Sequence, residues 1–201
     1  MGFAYAIGII TTDGNLSPDK RHINITSKDY EIVSTIKTLL QLSNTIGKKS
    51  RGGSGEKKYF VLQFGDINFY NFMLSIGLMP AKSKRLKSLQ IPQRYFADFL
   101  RGCIDGDGNI DIFSHPESRL LQKRIRLVSA SQDFLLWIRD TVHLLTNVKG
   151  GAIYKQGKRS IVTLNFGKED SKKLVSFMYY RRGLPALERK RKMAGRILEG
   201  E

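Results

Sequence analysis

Thiols and imidazoles are scarce in this chain: one cysteine and three histidines in 201 residues. A lone Cys103 excludes an internal disulfide and a thiolate zinc site, and three scattered histidines do not replace it. Any metal must therefore be held by oxygen. No apolar run approaches the roughly 18 residues of a membrane span, and the N-terminus lacks a charged segment followed by a signal-like apolar one. The expectation is a protein of the cytoplasm or an organellar matrix, not secreted and with no membrane partner. A Gly-x-x-x-x-Gly-Lys-Ser/Thr loop is also missing, which disfavours a phosphoryl-transfer NTPase. Acidic residues are in the minority as well, 18 against 34 Lys and Arg, for a net charge of +16.

What is present is a duplication. Tyr5-Ala6-Ile7-Gly8-Ile9-Ile10-Thr11-Thr12-Asp13-Gly14-Asn15 returns as Phe99-Leu100-Arg101-Gly102-Cys103-Ile104-Asp105-Gly106-Asp107-Gly108-Asn109. Further copies follow in the same order. Ile25 to Tyr30 matches Ser129 to Phe134, Leu62 to Gly65 matches Leu164 to Gly167, and Met73 to Lys87 matches Met178 to Lys192. A repeat this long suits two tandem half-domains rather than a solenoid. The polar stretch from Ser88 to Gln93, interrupted by Pro92, marks the junction. The expected units are residues 1–90 and 91–201. The charge divides evenly: residues 1–94 carry 14 Lys and Arg against 6 acids and residues 95–201 carry 20 against 12, or +8 on each side of that point. Even loading points to one polyanion met by both copies, and nucleic acid is the usual one.

Hydrophobic periodicity predicts the same element order twice: helix, strands, helix, strands, helix. A helix over Phe3 to Thr12 stops at Asp13-Gly14. Residues 20–26 alternate as a half-buried strand, with Ile23 and Ile25 inward and His22, Asn24 and Thr26 outward. Asp29 is expected to cap a helix to about Leu42, and Asp133 one to about Leu145. A hairpin is expected to pair residues near 46–51 with 57–64 across Gly52-Gly53-Ser54-Gly55, with Phe60, Leu62 and Phe64 inward and Tyr59, Val61 and Gln63 outward. The second copy turns near Gln156-Gly157, with Val162, Leu164 and Phe166 inward and Arg159, Ile161, Thr163 and Asn165 outward. Strands of this kind form antiparallel sheets with helices behind and an open polar front. Duplex DNA accepts a two-stranded ribbon in its major groove. The candidate DNA-facing residues are His22, Asn24, Thr26, Lys49, Arg51, Lys57, Tyr59 and Gln63 in the first copy. In the second they are Arg124, Arg126, Lys155, Arg159, Thr163 and Asn165.

The chemistry concentrates at the two duplicated helix ends. A carboxylate at a helix C-terminus faces the negative end of the helix dipole, and two converging ones add like-charge repulsion. Small residues at Gly8/Thr12 and Gly102/Gly106 allow the two backbones to approach, which brings Asp13 and Asp107 to one end of a shared seam. A divalent cation between them removes both penalties. Hard oxygen ligands with space for water and phosphate suit Mg²⁺ and phosphodiester cleavage.

These two motifs and their spacing resemble those of the single-chain LAGLIDADG homing endonucleases. Phe99 to Gly108 is close to the second motif of that family, and Tyr5 to Gly14 is a more diverged first copy. The resemblance implies an α+β protein of two αββαββα half-domains packed through the motif helices, with sheets forming a saddle over double-stranded DNA. It implies a monomer with no protein partner, making a double-strand break in a long asymmetric site. Asp13 and Asp107 would bind metal, with backbone carbonyls near Thr12 and Gly106 helping, and Mg²⁺ or Mn²⁺ would support cutting while Ca²⁺ would support binding alone. Lys82 and Lys190 match the position of a lysine near each scissile phosphate, with Lys84 or Arg85 as rivals for the first. Ser27 and Ser131 match a water-ordering position. Thr11 departs from the pattern that Asp105 keeps, and Asp105 itself reads as structural. An RNA splicing cofactor and a non-catalytic DNA-binding protein of the same fold are the alternatives. Retention of both terminal acids argues against either role alone.

Overall fold

The computed structural model describes residues 2–50, 55–115, 118–155 and 161–199. The first motif forms α1 (Gly2–Asp13), in which every residue from Ala4 to Thr11 is buried. A helix apolar on all sides needs partners on all sides, and the sequence supplies them in order. The elements that follow are β1 (Gly14–Leu16), β2 (His22–Ser27), α2 (Tyr30–Leu39), β3 (Gly47–Lys49), β4 (Tyr59–Gly65) and α3 (Ile67–Ser75). The second copy gives α4 (Phe96–Asp107), β5 (Gly108–His115), β6 (Ser118–Ser129), α5 (Gln132–Leu145), β7 (Ala152–Lys155), β8 (Val162–Phe166) and α6 (Lys168–Met178). A further helix, α7 (Glu188–Glu199), lies beyond the repeated pattern, where the first copy has only a 3-10 turn at Lys82–Lys84.

Each half builds a four-stranded antiparallel sheet, ordered β1-β2-β4-β3 and β5-β6-β8-β7. Alternation decides the faces: Ile23, Ile25, Leu62 and Phe64 in the first sheet, and Ile125, Leu127, Leu164 and Phe166 in the second, are buried against the helices. The opposite faces are open. The result is an α+β architecture of two similar half-domains. Among the described residues no helix is long and apolar enough to cross a membrane.

Strand register corrects one part of the expected duplication. Ile25 pairs with Leu62 and Leu127 with Leu164, so Ser27 corresponds to Ser129 and Asp29 to Ser131. Side chains agree, since Ser27 Oγ accepts from Asp29 N at 3.2 Å and Ser129 Oγ from Ser131 N at 3.1 Å. The match of Ser27 to Ser131 was two residues out of step because a short Ser-x-Asp string recurs there by chance. Helix capping is corrected too. Asp29 occupies the N-cap of α2 without a side-chain cap bond, and Ser131, not Asp133, caps α5 by accepting from Phe134 N.

The junction is part of the core. Between the 3-10 turn and Pro92 there is no regular element, yet Leu86 and Leu89 are buried, and Ser131 Oγ donates to the Leu86 carbonyl. A second buried tie centres on Arg101, which has no solvent exposure. It pairs with Asp98 at 2.5 Å and donates to the carbonyls of Met178 at 2.6 Å and Pro185 at 2.9 Å, fixing the segment that leads into α7 against α4. Tyr180 donates to the same Asp98 at 3.1 Å, so the buried carboxylate is satisfied from two sides.

Candidate nuclease centre and nucleic-acid interface

The seam between α1 and α4 is made by backbone. A β-carbon on Gly8 would stand 2.2 Å from the Phe99 carbonyl oxygen, and one on Gly102 would stand 2.3 Å from that of Tyr5. On Gly106 it would meet Thr12 Oγ1 at 2.0 Å, with Asp13 Oδ2 at 3.5 Å. Close approach at these glycines puts the C-terminal ends of both helices together, Asp13 half-buried and Asp107 exposed. Burial, then the charge of Asp107, pushes the Asp13 carboxyl up to about 7, while Lys190 and Lys82 pull it down. Asp105 lies deeper in the seam. It accepts from Tyr5 Oη at 2.9 Å and from Leu187 N at 2.7 Å, which makes it a tie between the halves. Burial pushes Asp105 up to about 6.

Both expected lysines reach this end, and each holds the carbonyl just after its own half's motif helix. Lys82 Nζ donates to Gly14 O. Lys190 donates to Ile104 O at 2.6 Å, Asp105 O at 2.7 Å and Gly108 O at 2.8 Å. The carbonyls ending an α-helix are short of intrahelical donors, and Lys190 spends its three N–H groups on two carbonyls of the last turn of α4 and on that of Gly108, the first residue beyond it. Burial lowers Lys190 to about 8 against the pull of Asp105, and it lowers Lys82 against the pull of Asp107 and Asp13. Ser131, expected to order water, instead has its hydroxyl committed to capping α5 and to Leu86. Ser27 is buried beneath the Asp29 amide.

A cleft of about 610 Å³ joins the carboxylates to the first sheet, lined by Thr12, Asp13 and Asp107 together with Asn24, Thr26, Lys49 and Lys82. Cross-strand partners share a face, so register shows where the remaining candidates stand. His22, Asn24, Thr26, Tyr59, Gln63 and Lys49 share the open face of the first sheet; Asn24 bonds Gln63 at 3.3 Å, and His22 is drawn to Asp19 at 2.5 Å. Lys57 is exposed in the approach to β4. Arg124, Arg126 and Asn165 occupy the open face of the second sheet.

Two candidates are corrected. Lys155 pairs with Val162, which is buried on the helix side, so the lysine emerges from the wrong face, and Tyr154 takes the open one. Thr163 is on the open side but only 3% exposed, too covered to touch a ligand directly. Arg51 and Arg159 lie outside the described residues, as do the expected turns at residues 52–54 and 156–157. Sequence reasoning missed Asn109 and Asp111, which continue the polar alternation of β5 into the same face.

No family model and no curated protein matches this chain. Solved structures do. The N-terminal LAGLIDADG domain of DUF199/WhiA superposes with a TM-score of 0.60 at 16% identity, covering 94% of this chain and 85% of that one. The LAGLIDADG homing endonuclease I-SmaMI bound to cleaved DNA gives 0.62 at 11% identity over 97% and 88% of the two chains. Variants of the homing endonuclease I-DmoI give 0.60 at 15% identity over 96% of each. The chain therefore has the LAGLIDADG fold, a fold found both in homing endonucleases and in WhiA.

Proposed function

We propose that this protein is a site-specific DNA endonuclease that makes a double-strand break by metal-dependent phosphodiester hydrolysis, acting as a monomer on one long asymmetric duplex. One observation carries this proposal: two carboxylates, one from each half, meet at the end of a glycine seam in a cleft that opens onto a polar, basic sheet face. I-SmaMI held with cleaved DNA shows that the fold accommodates such a substrate in that protein.

The donor set fits a hard divalent cation. Among the described residues no cluster of three or more His, Cys, Asp or Glu is assembled as a metal cage. Two carboxylates with carbonyls, water and substrate phosphate are instead the ligands that Mg²⁺ accepts. When bound, such an ion supplies a Lewis acid that activates water and stabilises the departing oxygen. Asp13 and Asp107 would hold it, with the carbonyls of Thr12 and Gly106 as neighbouring oxygens. Lys82, with one of its three N–H groups committed, retains two for a phosphate oxygen. Lys190 acts through its charge beside Asp13 and by fixing the end of α4. The open-face residues of both sheets place the duplex, through phosphate contacts for position and base edges for sequence.

The test is selection of cleaved sites from a randomised duplex library with Mg²⁺, followed by Asp13→Asn and Asp107→Asn. Each variant is expected to bind the recovered site and to lose double-strand cleavage. Mn²⁺ is expected to replace Mg²⁺, and Ca²⁺ to permit binding without reaction. Full cleavage by Asp107→Asn refutes the mechanism. Site-specific binding without cleavage by the wild type under any of these ions leaves a DNA-binding protein that does not cut, a role compatible with the full engagement of Lys190.

A further inference from the structure

Among the described residues the eight strands contain a single acidic residue, Asp111. It lies on an open face that is otherwise neutral or basic, in register with Arg124, while Asn109 is in register with Arg126. Asp111 Oδ2 accepts from Nη2 of Arg124 at 3.2 Å and of Arg126 at 2.7 Å, and Asn109 Nδ2 donates to Oδ1. The Arg124 guanidinium also lies over the Phe113 ring, 4.4 Å from its centre. Both arginines have a buried Nε without a partner, so contact with a base falls to their Nη groups.

A carboxylate here weakens the attraction of the face for any phosphate. With its side chain 23% exposed and those of both arginines 30% exposed, the cluster is too solvated to add much stability. What it supplies is orientation. A free arginine on a strand samples many rotamers, whereas these two forks are held in place by one shared oxygen and by an aromatic ring. An arginine fork of fixed direction matches O6 and N7 of guanine, a contact that specifies sequence, while a phosphate accepts a cation from many directions.

We propose that Asp111 is a specificity-determining residue, holding Arg124 and Arg126 as a preoriented pair that reads guanine in the major groove and suppressing their use as phosphate clamps. The proposal rests on the DNA-binding function put forward above. It also makes the two halves unequal, because β1 ends at Leu16 and the strands of its sheet carry no carboxylate; Asp19, in the turn after β1, pairs with His22 rather than with arginines. The half-site under the second sheet is therefore the more strictly read.

The experiment uses the full chain, a duplex recovered from a randomised library, all of its single-base-pair variants, and a mixed-sequence duplex. Asp111→Asn keeps the side-chain shape and removes the charge. Its affinity for the mixed-sequence duplex is expected to rise by roughly 3- to 10-fold near 0.1 M salt, with a salt slope steeper by about one. Discrimination at one or two adjacent guanine positions is expected to fall by roughly 5- to 150-fold. Arg126→Gln is expected to relax one of the same positions, and the double variant to relax it no further, which a purely structural role for Asp111 would not produce. An unchanged base preference in Asp111→Asn overturns the proposal, as does a uniform loss of affinity across all sequences. A wild-type protein that enriches no preferred duplex overturns the site-specific recognition put forward above, and the role of Asp111 with it.

Discussion

Replacing Asp13 by Asn should stabilise the metal-free protein, and only above a definite pH. Burial and the neighbouring Asp107 raise the Asp13 carboxyl from its ordinary 3.8 to about 7, so the folded protein holds a proton there that the unfolded chain releases. Stability from this group is thus fully present below about pH 4, declines as pH rises, and is gone above about pH 7. A shift of this size corresponds to a ceiling of about 4 kcal/mol, at roughly 1.4 kcal/mol per pH unit. The carboxylate is only half-buried and shares its repulsion with Asp107, which brings the expected gain for Asp13→Asn at pH 8 down to about 1–3 kcal/mol. For a chain of this length that is a rise in Tm of roughly 2–12 °C. Thermal unfolding of both proteins in chelator at pH 5, 6.5 and 8 measures it: the gap should be widest at pH 8 and about 40% as large at pH 5. Saturating Mg²⁺ should then raise the wild type more than the variant, by about 2.7 kcal/mol at one hundred times the dissociation constant. A gap that is the same at pH 5 and pH 8, or an equal response of both proteins to Mg²⁺, refutes the account of a strained carboxylate pair awaiting a cation.

Three further outcomes follow from the packing and the charge. Arg101→Ala strands the buried Asp98 and frees the carbonyls of Met178 and Pro185, so urea unfolding should report a loss of about 3–5 kcal/mol. Gly102→Ala puts a methyl group into the Tyr5 carbonyl, and since backbone cannot yield as a flexible side chain would, differential scanning calorimetry should show a loss of at least about 1–3 kcal/mol, with Gly195→Ala, where the added carbon meets nothing, as the control. With about 8–12 phosphates neutralised, log K against log salt should fall with a slope of about −7 to −11, and sedimentation should give one chain per duplex; a slope near zero or two chains per duplex contradicts the proposed interface.

The parts of this protein legible in its sequence are those set by local periodicity and by covalent order. Helical spacing of small residues at Gly8 and Gly102, ended by Asp-Gly in both copies, was enough to expect α1 and α4 and their shared C-terminal end. Period-two alternation likewise placed Ile23, Ile25, Leu62 and Phe64 inward. What alternation cannot supply is the partner of each strand, because pairing joins residues far apart in the chain and a small slip changes every neighbour. For that reason Ser131 was matched to Ser27 when it stands where Asp29 does, and Lys155 was assigned to a face that its pairing with Val162 denies it. Charge carries the same ambiguity. Lys190 is a basic residue in a basic segment until the fold wraps α7 back onto α4, where three carbonyls take all its donors. Composition alone counts Asp111 as an acid subtracted from a basic total. Only the sheet, by setting it across from Arg124 and diagonal to Arg126, makes that one carboxylate the organiser of two cations.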